Sequence, residues 1–155
     1  MIKIVFTVPG DPRGEPRKRV RVVTGKGRPF AMHYPEKRAA EYRALVQEYA
    51  REAQQDAGLQ IIDGPTYVVI QAAWSLPKSK WKKRNQVQPS WRTAKPDPDN
   101  VAKLVLDALN GVIWIDDACV SRLDVIRLNS AQGEPGYLRV TISGLVDLTP
   151  ADGEA

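Results

Sequence analysis

The chain reads as an α/β protein, more strictly α+β. The expected form is a two-layer sandwich in which a mixed β-sheet carries two main helices on one face and long basic loops extend from it. Three observations predict this. Residues 36–57 and 98–109 repeat apolar side chains at helical spacing, several short runs are rich in β-branched residues or alternate like strands, and helices and strands are interleaved along the chain. With 155 residues there is room for one core rather than two, so residues 1–144 are expected to form one domain and 145–155 a frayed tail.

Residues 2–8 alternate apolar and polar and form the first expected strand. GDPRGEPRKRVRVVTGKGRPFAMHYP follows, a long loop or a loose hairpin around residues 20–23, of a length that is usually functional when ordered. In the first helix Tyr42, Leu45, Val46, Tyr49 and Ala53 make a core-facing stripe, and Gly58 is placed to end it. TYVVIQAAW (66–74) is a second strand. A second basic loop follows, with Lys78, Lys80, Lys82, Lys83, Arg84, Arg92 and Lys95 and no acid. The second helix spans 98–109, with Val101, Leu104, Val105 and Ala108 inward. Residues 111–115 are expected as a buried strand, and 120–128 and 137–143 as a pair of strands joined by NSAQGEPG.

Composition excludes several classes. Hydrophobic residues at 43% and charged ones at 26% are ordinary for a globular domain. No apolar run is long enough to cross a bilayer, and the start lacks the pattern of a signal peptide. A single cysteine, Cys119, makes no internal disulfide, which fits a reducing cytoplasm. Net charge of +5 favours a polyanionic partner, and no membrane or small-molecule organic cofactor is expected.

The stretch KPDPDNVAKLVLDALNGVIWIDDACV places acids at both ends of one unit. Taken singly, each half has an ordinary explanation: Asp97 as a helix cap, Pro98 at the first helical position, Asp99 against the helix dipole, Asp116 and Asp117 as a solvated turn. Taken together, a twelve-residue helix is about 18 Å long. An extended return over 111–116 would cover about 20 Å and bring Asp116 or Asp117 beside Asp97 and Asp99. Two carboxylates about 4 Å apart repel by roughly 4 kcal/mol at an effective dielectric near 20. A divalent cation relieves this, and oxygen-only ligands point to Mg²⁺, with Mn²⁺ as substitute. Zinc is disfavoured, because the lone histidine, His33, is remote and Cys119 is expected in the sheet. Lys103 lies one turn after Asp99, either in an ordinary ion pair or at the edge of the site where charge builds on a phosphate. Asp107 is expected to partner Lys103 rather than a metal.

This segment resembles the signature of the RusA family, the Holliday junction resolvases of bacteria and their phages: an Asp-x-Asp-Asn-x-x-Lys helix, then Asp-Ala-Leu, then Asp-Asp. VPGDPRGEPRKRVRV resembles, more loosely, the family's basic segment after the first strand. The resemblance implies Mg²⁺-dependent homodimers that nick two strands of a four-way DNA junction symmetrically, in a bacterial, phage or prophage setting. By position it makes Asp97, Asp99 and Asp117 the catalytic and metal-binding acids, Lys103 the catalytic lysine, and Asp116 a further metal-binding acid. The loop over 78–95 is longer and richer in Trp and Lys than in compact members, so flaps and other branched substrates enter.

Acids repel DNA, so basic segments must compensate. Arg13, Arg17, Lys18, Arg19, Arg21, Lys26 and Arg28 form one group, and the 78–95 loop the other. Trp81 and Trp91 either pack on the sheet or stack on unpaired bases. Other readings remain at this level: a nucleic-acid-binding module without chemistry, a metal-dependent phosphohydrolase acting on small phosphates or RNA, or an inactive relative.

Overall fold

In the computed structural model the described residues are 2–16, 19–34 and 37–146, without the side chains of 19–21 and 30–34. The expected frayed tail lies, from residue 147 onward, outside them.

Strand β1 (Lys3–Pro9) turns Ile4, Phe6 and Val8 into the core and Lys3, Val5 and Thr7 outward, as its alternation requires. β2 (Arg19–Val23) and β3 (Phe30–Tyr34) pair antiparallel as a separate two-stranded sheet, so the loose hairpin of the sequence is a regular one. Helix α1 (Lys37–Asp56) buries Ala39, Tyr42, Val46 and Ala50, with Leu45, Tyr49 and Ala53 packed at the margin. Gly58, at φ +63°, closes it: Gly58 N–H donates to Gln55 O and Leu59 N–H to Gln54 O, the paired bonds that satisfy a helix's last carbonyls.

β4 (Thr66–Trp74), β5 (Ser90–Trp91), helix α2 (Pro98–Leu109), β6 (Val120–Asn129) and β7 (Tyr137–Gly144) follow. The main sheet is mixed, in the order β1-β7-β4-β6-β5. α1 and α2 pack together, and one continuous core joins them to the inward residues of β1, β4 and β7. On α2, Val101, Leu104, Val105, Ala108 and Leu109 are buried, each large one contributing about 2 kcal/mol of hydrophobic stabilisation.

Two expectations are corrected. β6 and β7 are not neighbours: β4 lies between them, parallel to β6 and antiparallel to β7. The 130–136 connection is too long for a tight hairpin and instead arches over the end of β4, tied by Ser130 N–H donating to Trp74 O at 2.8 Å. Nor do residues 111–115 form a strand. Gly111, at φ +76°, reverses the chain. The N–H groups of Val112 and Ile113 fold back onto Leu109 O, and Gly111 N–H donates to Trp114 O. The apolar run that looked like a strand is a coiled turn whose Val112, Ile113 and Trp114 plug the core. A short apolar run of this kind reads alike in either conformation.

Candidate active site

Asp97 stands at the N-cap of α2 with the extended backbone of a cap, yet its side chain makes no capping hydrogen bond. The carboxylate lies instead 3.7 Å from Lys95 Nζ. The ordinary explanation for this residue thus loses its main support. Asp99 is exposed in the first turn, where the helix dipole favours an anion. The loop after β1 runs close beside this helix start. Glu15 N–H donates to Asn100 O at 2.8 Å. A Cβ at Gly14 would come within 2.7 Å of Pro96 Cβ, so a side chain there would push the loop off α2.

Lys103 is exposed and donates to Asp107 Oδ2 at 3.0 Å, the partner expected for it. That hydrogen bond and the Asp107 charge hold its ammonium above the ordinary lysine range, with Glu15 and Asp117 adding to the effect. Asp116 caps a turn of 3-10 helix (Asp117–Cys119), its Oδ1 accepting from Ala118 N at 2.8 Å. Asp117 is half-buried, and its carboxyl is raised above the usual range, first by burial and then by Asp116 and Asp107. Lys103 works in the opposite direction on it.

The structure therefore brings Lys103, Asp107, Asp116 and Asp117 into one electrostatic neighbourhood, with the 3-10 turn packed on α2. Asp97 and Asp99 lie further toward the helix start; Asp99 is about 6 Å along the axis from Lys103. Because the 111–116 return is coiled rather than extended, Asp117 acts on the helix at the level of Lys103 and Asp107. Among the described residues no group of three or more His, Cys, Asp and Glu side chains is spaced to hold a metal ion. The single shell of Asp97, Asp99, Asp116 and Asp117 inferred from an extended return is not drawn together. The donor set nonetheless suits a hard cation in kind: all four are carboxylates, and burial first, then the Asp116 and Asp107 charges, raises the Asp117 carboxyl.

The second basic loop is held in place rather than loose. Gln132, on the arch over β4, accepts from Lys82 N–H at 2.9 Å, donates to Lys82 O at 3.0 Å, and gives its own N–H to Val87 O. Lys78, Lys80, Lys82, Lys83, Arg84 and Lys95 are exposed along it. Arg92 differs from them. Its guanidinium lies 4.3 Å over the Trp74 ring and donates to Asn129 Oδ1 and Lys95 O. Burial, with Arg127 beside it, pulls its pKa down. Arg127 in turn donates to Ala94 O and Pro96 O. These two arginines fix the segment that leads into Asp97. In the first group Arg13, Lys26 and Arg28 are exposed; Arg17 and Lys18, and the side chains of Arg19 and Arg21, lie outside what is described. Trp81 is 45% exposed with its indole N–H donated to Leu76 O, whereas Trp91 is 76% exposed.

Sequence reasoning missed Glu15, which pairs with Arg43 at 2.5 Å across two elements, and also Arg127 and Gln132. No periodicity or spacing marks them, since each acts through contacts between segments distant in the chain.

A helix that starts among acids, a second acidic turn laid against it, a lysine between them and two basic loops that precede them in the chain make up the candidate site. The chain belongs to the RusA family: the family model described as Endodeoxyribonuclease RusA matches residues 9–143. Among curated relatives, a protein of Bacillus subtilis (strain 168) named as uncharacterized protein YqaN is 34% identical over 134 residues, covering 83% of this chain and 89% of the relative. The family is one of endodeoxyribonucleases, and this assigns the chain to DNA cleavage at the level of the class. No helix among the described residues is long and apolar enough to cross a membrane.

Proposed function

We propose that this chain is a Mg²⁺-dependent, structure-selective endonuclease that resolves four-way DNA junctions by paired symmetric nicks, acting as a homodimer in DNA recombination and repair in a bacterial or phage-infected cytoplasm. The observation that carries the reading is the family match across residues 9–143, a span that includes Asp97, Asp99, Lys103, Asp116 and Asp117, the residues to which the resemblance gives roles. Supporting it, Asp97 does no capping and Asp117 comes from another segment into the field of Lys103.

Magnesium usually takes one or two protein carboxylates and keeps several waters. The residues that would hold it are Asp117 with Asp116 and Asp97 with Asp99, Mn²⁺ substituting. Bound there, the ion supplies Lewis-acid charge neutralisation at the scissile phosphate. The chain's own groups do the rest. The Lys103 ammonium, kept protonated by Asp107, stabilises the extra negative charge on the phosphate as water adds and the P–O3′ bond breaks, leaving 5′-phosphate and 3′-hydroxyl ends. Exposed Lys78, Lys80, Lys82, Lys83, Arg84 and Lys95, together with Arg13 and its neighbours, track the flanking backbone and offset the repulsion of the acids. The length of the 78–95 loop favours branched substrates in general, flaps included, beside four-way junctions.

The test is to incubate the protein with a mobile four-way junction, a flap and plain duplex, in Mg²⁺ or EDTA, and to map the ends. Paired nicks in the junction that need Mg²⁺ are expected. Metal-independent binding with no nicks in any substrate would refute the reading.

A further inference from the structure

The chain has four tryptophans, and three of them use the indole N–H inside the fold. Trp74 donates to Pro12 O, Trp114 to Asn110 Oδ1 and Trp81 to Leu76 O. Trp91 has no such partner among the described residues and is 76% exposed. An indole left in water in this way is unusual for a residue that is, on average, among the most buried.

Its backbone is the opposite of loose. Trp91 pairs with Leu128 in the two-residue strand β5, and Asn129 Nδ2 donates to Ser90 Oγ at 3.1 Å. Arg92 N–H donates to Arg127 O at 3.1 Å, and the Arg92 guanidinium is clamped over Trp74. From there Arg92 and Arg127 grip the carbonyls of Ala94, Lys95 and Pro96, the residues immediately before Asp97. A bare aromatic face is thus mounted on a braced strut that ends at a candidate catalytic acid. The surrounding charge identifies what the face would meet: Lys80, Lys82, Lys83, Arg84 and Lys95 on the same loop suit a phosphate backbone, whose bases have apolar faces.

We propose that Trp91 is a branch-point reader. Its indole stacks on a nucleobase that has lost a stacking neighbour where DNA strands diverge, and the Arg92–Arg127 brace relays that position to Asp97. Continuous duplex offers no such base, so the contact selects branched over linear DNA. Trp81, tied at its N–H, serves the loop instead. Asp97 follows Trp91 by six positions, at most about 20 Å of chain. One strand of DNA rises about 3.4 Å per nucleotide, so the nick falls within about six nucleotides of the stacked base.

This inference rests on the nuclease reading, and the experiment separates the two. A four-way junction carrying 2-aminopurine at the branch point is titrated in EDTA with wild type, Trp91→Ala and Trp91→Phe, with linear duplex as comparison, and the same proteins are then assayed for nick position in Mg²⁺. Wild type and Trp91→Phe should change the fluorescence of the probe. Trp91→Ala should not; its junction-over-duplex affinity ratio should fall about five- to hundredfold, and its nicks should scatter. An unchanged melting temperature shows that the variant is folded. Equal fluorescence, affinity ratio and nick position for Trp91→Ala and a nicking wild type would overturn the proposal and leave the nuclease reading standing. A wild type that nicks no DNA with Mg²⁺ or Mn²⁺ would overturn the nuclease reading, and with it the relay to Asp97.

Discussion

Lys103 and Asp107 face each other four residues apart on an exposed flank, a pairing that stabilises a helix by only about 0.3–0.5 kcal/mol. Lys103→Met should therefore leave the thermal midpoint nearly unchanged while slowing DNA cleavage by about a hundred- to thousandfold, the usual effect of losing a group that binds transition-state charge. Single-turnover cleavage beside a melting curve separates the two effects. Asp117 carries a different signature. Its folded pKa is raised, so in the window between the unfolded and folded values the native state holds more protons, and stability falls as pH rises through it. Above that window the penalty remains. Asp117→Asn removes it, so the variant should melt higher than wild type at neutral pH and converge with it in acid. It should also fail to cleave. A melting series across pH reads the first, a nicking assay the second.

Elements differ in how much of them a sequence displays. α1 and α2 were legible almost to the residue, because their apolar spacing and the glycines after them follow local rules. The candidate acids could be named from the sequence because they lie in one stretch. The 111–115 turn was not: five residues with an apolar centre serve a strand or a buried coil equally well, and only the space beneath α2 decides. That turn governs the depth at which the second acidic segment meets the helix, which is why the site differs from the one an extended return would build. Gln132 was likewise illegible, since its partners lie some fifty residues away. Its two side-chain bonds to Lys82, accepting from the N–H and donating to the carbonyl, should contribute about 0.5–1.5 kcal/mol each to the local order of the loop. Gln132→Ala is thus expected to speed amide exchange over residues 82–87 with little change in α2.

At the scale of the whole molecule, one core supports both halves of the site. Trp114 is fully buried on the stretch of chain that joins α2 to the acidic turn, so Trp114→Ala should lose about 3–5 kcal/mol in chemical denaturation and weaken cleavage together. Charge acts at the same scale. Each phosphate neutralised by the exposed loops should add about −0.9 to the slope of log affinity against log salt, and a slope near zero would remove those loops from the interface. The strand order has a further consequence. β4 must accept β6 alongside it before the segment carrying Asp117 has a fixed place against α2, and that pairing joins residues more than fifty positions apart. Contacts of such long range form late. A nascent chain still short of residue 129 therefore carries Asp97, Asp99 and Lys103 but has nothing to hold Asp117 against α2, so on the proposed reading its cleavage should appear only once synthesis and folding are complete.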